Sequence, residues 1–421
     1  MTIKGLKQFL NKKYPSLFRT TSIYTFHKTK IAIDSSAIAH SYWYPVKNMI
    51  VKQLKNPLDE PNLDDIASKW LDNIWSLISK FLRLGITPVM VFDGEPPSEK
   101  SAVIAERVEK KESAKVAIER LRADIKNLDK FSQSQYLSKM KALYNDWSGL
   151  NKDHFDMLKI FFNGLGIPVL QAKSEAEELC AALCREGHVS AVYCEDSDSL
   201  AHLAPCWIYG KTDKKDFVEE RKEYIESFTF TVLDEVLNKL QMTKETFVDF
   251  CIMCGCDYNS NIPNVGPANS YKELLKCLTI DKLPAKFDKT ILNHERCREL
   301  FKNRECSEIC LSKIDWMNPD KELSVDRTCI TGYSKEYLSK CFKESLVYEL
   351  DFIYAAFPEE IIKIGYTQLC GDLKGNPVTQ VNVVQQVSQV PQEIPDIAKI
   401  TFDLSKLDLS KIDFSKIKIN I

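Results

Sequence analysis

Pro88-Val-Met-Val-Phe92 runs into Asp93-Gly94, and this short apolar run ending in an acid decides how the rest of the chain reads. An apolar segment of that length, closed by a turn-forming dipeptide, predicts a buried strand with a carboxylate just past its end. The pattern recurs. Ile31-Ala-Ile33 ends in Asp34, Ile167-Pro-Val-Leu170 leads to Ser174-Glu175-Ala176-Glu177, and Ala191-Val-Tyr-Cys194 ends in Glu195-Asp196-Ser197-Asp198. Helical periodicity fills the intervals, as over residues 63–84. Strands alternating with helices predict an α/β fold with a central, mainly parallel sheet flanked by helices. Ligands of such sheets bind just beyond the carboxyl ends of the strands. If the strands are neighbours, their acids share one edge and repel one another. Divalent cations relieve that repulsion, and hard oxygen donors suit magnesium or manganese.

Each acid also has a plainer reading. Asp34, before Ser35-Ser36, fits a helix N-cap. Asp93-Gly94 is a turn dipeptide. Ser174 and Glu177 have the spacing of a capping box. Taken singly these readings are sufficient; acids at four successive strand ends are not explained by them.

The 421 residues allow one large domain with additions. Lys and Arg number 57 against 59 Asp and Glu, a net charge of −2. That excludes a uniformly basic polyanion binder, so any polyanion would have to be held by local basic surface. The opening Met1-Thr-Ile-Lys-Gly-Leu-Lys-Gln-Phe-Leu10 is amphipathic and too short for a secretory core, and no apolar run reaches the length of a membrane span. With 14 cysteines, this points to an intracellular chain with reduced thiols and no membrane partner. Cys251, Cys254 and Cys256 lack a second pair or a histidine at zinc spacing, so buried free thiols are expected there.

The chain divides by composition. Residues 1–97 hold two of the strands. Residues 98–150 are highly charged, with 11 basic and 8 acidic residues from 99 to 150 and no strand signal, as in a helix pair standing off a core or a solvated surface hairpin. Residues 151–275 restore the alternation, and 276–370 are mostly helical in pattern. Residues 371–421 are a low-complexity tail closing on Asp403-Leu-Ser-Lys-Leu, Asp408-Leu-Ser-Lys-Ile and Asp413-Phe-Ser-Lys-Ile. Three such repeats are too few for a solenoid, and the tail reads as disordered or conditionally folded.

Several longer segments carry a resemblance: Ile3-Lys-Gly5-Leu6, Ile31-Ala-Ile-Asp34-Ser-Ser36, Pro88-Val-Met-Val-Phe-Asp93-Gly-Glu-Pro-Pro97, Glu175-Ala-Glu177 followed by Cys180-Ala-Ala-Leu183, Glu195-Asp196-Ser-Asp198, and Phe250-Cys-Ile-Met-Cys-Gly255-Cys-Asp257-Tyr258. In order and in much of their spacing they resemble the XPG family of structure-specific 5′ nucleases, flap endonucleases in particular, over about residues 1–275. The resemblance implies a PIN-like nuclease fold, with residues 98–150 as a helical arch or gateway and a helix–two-turn–helix near residue 264. It implies two magnesium sites, with manganese as a substitute, built from Asp34, Asp93, Glu175, Glu177, Asp196, Asp198 and Asp257. Asp257 joins the acids only through it. Two cations about 4 Å apart would activate water and stabilise the departing oxygen. Lys100 and Arg107, two helical turns apart, would stabilise charge on the scissile phosphate; charge alone favours a solvated helix face. Ile262-Pro-Asn264-Val265-Gly266-Pro267 would grip duplex backbone without reading bases.

The chain departs from the family pattern at Asn264, where a hairpin glycine is usual, though Asn tolerates positive φ. Ala268-Asn269 replace basic residues, Thr2 replaces a glycine, and His40 stands where flap endonucleases carry an aromatic base-stacker. The tail lacks adjacent aromatics, so sliding-clamp binding through the usual motif is not expected. Its atypical sequence fits a divergent lineage such as a DNA virus. The expected protein is a monomeric 5′ endonuclease on flaps and branched or nicked DNA, placed in the nucleus (a host nucleus if viral) or else the cytoplasm. The alternatives are a 5′→3′ exonuclease of the same family, a small-molecule phosphohydrolase and a non-catalytic DNA-binding scaffold.

Overall fold

The computed structural model describes residues 3–302 and 306, apart from 57, 126–129, 148 and 165–166. The last part of the 276–370 region and all of the 371–421 tail with its repeats lie outside the described residues. In chain order the elements are α1 (Leu6–Lys13), β1 (Arg19–Ser22), β2 (Lys30–Asp34), α2 (Ser35–Gln53), α3 (Leu63–Arg83), β3 (Thr87–Phe92), α4 (Ser101–Ile125), α5 (Lys130–Trp147), α6 (Lys152–Gly164), β4 (Val169–Gln171), α7 (Ala176–Arg185), β5 (Ala191–Tyr193), α8 (Asp198–Ala201), β6 (Cys206–Val218), β7 (Glu223–Val232), α9 (Leu233–Leu240), α10 (Lys244–Cys254), α11 (Pro267–Cys277) and α12 (His294–Leu300).

All four predicted strands form. They lie side by side as β5-β2-β3-β4 within a seven-stranded sheet of order β1-β7-β6-β5-β2-β3-β4. Ile31, Ala32 and Ile33 pair in parallel with Ala191, Val192 and Tyr193, and β5 pairs in parallel with β6. The central sheet flanked by helices forms as expected, and it is mixed at one side. There β6 turns back antiparallel into β7, and β1 adds antiparallel to β7, so the sheet is mixed. β6 escaped the pattern because its outer half, Lys211-Thr-Asp-Lys-Lys-Asp216, is polar and its register shifts at Tyr209/Lys211 and Lys211/Lys215. Beyond the sheet such a ribbon has no apolar face to advertise.

The chain forms two compact units. Among the described residues, one falls within 3–38, 88–105 and 170–306, the other within 39–87 and 106–169. In the first, β2, β3 and β5 are buried on both faces, which explains their uninterrupted apolar runs. Ala176, Cys180, Ala181 and Cys184 keep the buried face of α7 small, so the helix lies close against the strands. α10 is buried from Thr246 to Cys254, and its three thiols, Cys251, Cys254 and nearby Cys256, are core residues as expected. In the second unit Trp70, Ile74, Trp75 and Phe81 line the buried stripe of α3. α4 is largely exposed, with Ala114, Ile118 and Ile125 buried; the last two pack with Met140 and Tyr144 of α5 and Val51 of α2. No helix among the described residues is long and apolar enough to cross a membrane.

Candidate functional site

Asp34 closes β2 and is fully buried. Its Oδ1 accepts the Ala37 N–H at 2.9 Å, so the N-cap reading holds, yet its Oδ2 accepts the Cys194 thiol at 3.2 Å. One carboxylate thus starts a helix and faces β5. Asp93, past the end of β3, accepts the Ala176 N–H at 2.8 Å and caps α7 from another strand. Gly94 permits this. Its N–H donates to the Ser174 carbonyl at 2.5 Å, and a Cβ there would overlap the carbonyl oxygens of Ala172 and Lys173. The glycine is needed for close approach of two backbones, which brings Asp93 beside Glu175.

The Ser174–Glu177 capping box does not form. The N-cap of α7 is Glu175, and no side chain caps the helix from that position. Both Glu175 oxygens accept from Lys100 Nζ at 2.6 Å, and Oε2 also accepts the Tyr258 hydroxyl. Lys100 Nζ lies 3.4 Å from Asp257 as well. Asp257 follows the turn that ends α10, where Gly255 has φ +97° and Asn261 fills the space a Cβ would need. Asp198, at the start of α8, accepts the Ile3 N–H at 2.8 Å.

The electrostatics tie the seven acids together. Burial pushes the Asp34 carboxyl up to about 7, with Asp93 and Asp196 adding repulsion. Burial likewise lifts Asp198 to about 8, with Asp257 and Asp196 contributing. Glu177 rises well above its usual value through burial and the charges of Asp34, Asp93, Asp198 and Glu175. Burial works against the charge of Lys100, but Glu175, Glu177 and Asp257 outweigh it and hold the ammonium more firmly than usual. One lysine cannot compensate seven carboxylates. A hard-oxygen array that resists its own ionisation fits divalent metal. Asp34, Glu177 and Cys194 offer atoms within 4.8 Å of one another.

The remaining expected residues fall elsewhere. Arg107 and His40 belong to the second unit, and both are exposed. The His40 ring stacks at 6.3 Å on Tyr44 and tilts at 5.9 Å against Phe155. In the first unit Asn264 takes φ +62°, as expected of a residue replacing glycine, and the Ile262–Val265 turn closes at 3.0 Å. Gly266 is the N-cap of α11 at φ −95°, with open space around it. Sequence reasoning missed Cys194 and Tyr258. Tyr258 lay inside a quoted motif and is buried against Glu175; Cys194 directly precedes the acidic run, a signal that a strand-end thiol shares its neighbours' pocket.

Comparison with known proteins agrees with this geometry. The XPG N-terminal domain matches residues 1–114 and the XPG I-region matches 166–257. Flap endonuclease 1 of Micromonas commoda is 30% identical over 338 residues, 78% of this chain and 81% of that protein. The chain belongs to the XPG family of nucleases. Flap endonuclease 1 of Schizosaccharomyces pombe is 30% identical over 333 residues, covering 76% and 80%. Two solved structures share the fold of this XPG nuclease. Flap endonuclease-1 from Methanococcus jannaschii has a TM-score of 0.50 at 19% identity, covering 79% of this chain and 96% of that one. Human GEN1 in complex with Holliday junction DNA has a TM-score of 0.52 at 17% identity, covering 84% and 80%. As a family member the chain is a DNA-cleaving hydrolase of the structure-specific kind.

Proposed function

We propose that this nuclease cleaves 5′ flaps and related branched DNA by magnesium-dependent hydrolysis. The observation that carries the reading is the meeting of carboxylates from four neighbouring strand ends, joined through Lys100 to Asp257 after α10. Asp34, Asp93, Glu175, Glu177, Asp196, Asp198 and Asp257 would hold two magnesium ions, or manganese in their place. Bound there, the ions supply an acidified water and a Lewis acid for the departing oxygen. Asp34 and Asp93 keep their donor oxygens fixed because each also caps a helix. Lys100 and Arg107 stabilise charge on phosphate oxygens. Asn264 and Gly266 present backbone to the duplex, and His40 stacks on a base. Residues 98–150 serve as the arch that admits a single-stranded 5′ end. The enzyme acts as a monomer in the nucleus, in replication, repair or recombination, and without the usual sliding-clamp motif.

The test is magnesium-dependent cleavage of an end-labelled 5′-flap duplex beside a blunt duplex, with Asp196→Ala as control. Cutting at the junction that disappears in the variant is the expected result. Release of single nucleotides from a nick would reassign the chain as an exonuclease. Tight flap binding with no cutting would leave a scaffold.

A further inference from the structure

Lys100 sits on a single 3₁₀ turn, Ser98–Lys100, between Pro97 and the start of α4. The Lys100 N–H closes the turn on the Pro97 carbonyl at 3.0 Å. Successive side chains of such a turn point about 120° apart, so Glu99 and Lys100 face different neighbours. Lys100 faces Glu175 and Asp257. Glu99 faces α12. Its Oε1 accepts from Arg296 Nε at 2.7 Å, and its Oε2 accepts from the Ser98 hydroxyl at 3.3 Å. The Glu99 side chain is 16% exposed and that of Arg296 43%. The guanidinium holds the Glu99 carboxyl below its usual pKa. It also donates to Glu299 at 2.9 Å, which orients it on its own helix.

α12 is itself a fixed point. Arg298 binds Asp249 of α10, His294 Nε2 lies 3.0 Å from Asp281, and Cys297 and Leu300 are buried. The helix also backs the site. Cys297 lies beside Cys256, the residue before Asp257. Phe301, just past the helix end, packs at 5.5 Å on Tyr258, whose hydroxyl donates to Glu175. All of these residues belong to the first unit. We propose that Arg296 is a positioning residue for the nuclease reaction: it anchors Glu99 and so sets where the adjacent Lys100 presents its ammonium. The inference rests on the assignment of Lys100 to the scissile phosphate, and it adds a residue from a segment that neither XPG domain match includes. A half-exposed ion pair contributes little to stability, whereas a small misplacement of a charged group at a reacting centre is costly in rate. Position is therefore what this pair supplies.

The experiment uses the full chain and compares Glu99→Gln, Arg296→Gln, the two together and Arg296→Lys, with Lys100→Met as reference. It measures single-turnover flap cleavage in magnesium, flap affinity in EDTA, Tm, and acetic-anhydride labelling of Lys100 by mass spectrometry. Each single Gln variant should cut about ten-fold more slowly, less than the 10²-fold that a 1 Å misplacement can cost, with flap affinity and Tm unchanged. The double variant should be no slower than either single one. Arg296→Lys should recover most of the rate, because Glu99 Oε1 takes one donor from this side chain. Labelling of Lys100 should rise in the Gln variants, while that of the exposed Lys110 stays constant. Wild-type cleavage and labelling in both single Gln variants would overturn the proposal, as would losses that add in the double variant. If Lys100→Met is inactive while the Gln variants cut as the wild type does, this proposal alone fails. If Lys100→Met cuts normally, the reading of Lys100 fails and takes the proposal with it. Should the wild type cut no flap, the nuclease reading fails, and labelling still decides whether Arg296 sets the position of Lys100. Glu99→Gln decides the matter should Arg296→Gln not fold.

Discussion

Replacing Lys100 by Met keeps the volume of the side chain and removes an ammonium paired with Glu175 and Asp257. Lys100 contacts both oxygens of Glu175 at 2.6 Å and Asp257 at 3.4 Å, with side chains only 17%, 10% and 8% exposed. Removing one partner of a buried pair costs about 3–5 kcal/mol. The remaining exposure and the ability of the acids to take up protons reduce this to about 2–3 kcal/mol. At about 2.1 cal/mol/K per residue over about 300 residues, that lowers Tm by roughly 3–5 °C. Magnesium should then stabilise the variant more than the wild type, because the ion supplies the charge that the lysine had supplied; binding at about 100 times Kd is worth about 2.7 kcal/mol. Thermal melts in EDTA and in a magnesium series measure both quantities, and flap cleavage should fall by about 10²–10³. A variant that melts with the wild type in EDTA would show that the pair carries no stability. A gap that magnesium fails to narrow would refute the assignment of these acids as its ligands.

Three further outcomes follow from the same geometry. Gly94→Ala should cost about 1–3 kcal/mol and weaken manganese binding measured by calorimetry, because the new Cβ drives Asp93 away from Glu175. Asn264→Gly should leave Tm nearly unchanged, whereas Asn264→Val should destabilise by about 1–3 kcal/mol, since φ +62° is hostile to a branched side chain. Arg298 holds Asp249 through two bonds of 2.7 Å and Asp281 through one of 2.9 Å, and this keeps the Asp281 carboxyl down at about 2. A depressed carboxylate stabilises the fold above its unfolded value near 4, and the contribution disappears as pH falls towards 2. Arg298→Met should therefore lower Tm most above pH 4, and urea melts should show the gap closing in acid.

The strands that carry the site were legible because they are buried on both faces, so their apolar runs are unbroken. Asp34 and Asp93 illustrate why single-residue readings mislead: each is a helix cap and a member of the acidic cluster, and pattern alone offers these as rivals. Glu177 shows the opposite error, since its capping-box spacing is present but Glu175 takes the N-cap position. The antiparallel β6–β7 ribbon was hidden because Lys and Asp dominate its outer half. Tyr258 and Cys194 carried only a positional signal, one inside a motif and the other just before the acidic run. Their importance comes from which carboxylates lie opposite, a matter of tertiary pairing across 83 and 160 residues of chain.

Cys194 has a bearing on the choice of metal. A purely carboxylate array ranks divalent ions by size and hydration, whereas a sulfur beside Asp34 and Glu177 introduces affinity for thiophilic ions such as zinc and cadmium. Burial holds that thiol well above its ordinary pKa, so a soft ion must expel a firmly held proton to use it, and does so more readily as pH rises. The same strand end would let a trace soft ion compete with a hard one for the site. Its protection against soft ions is a proton, and the surrounding metal supply, rather than the site alone, determines which ion it carries.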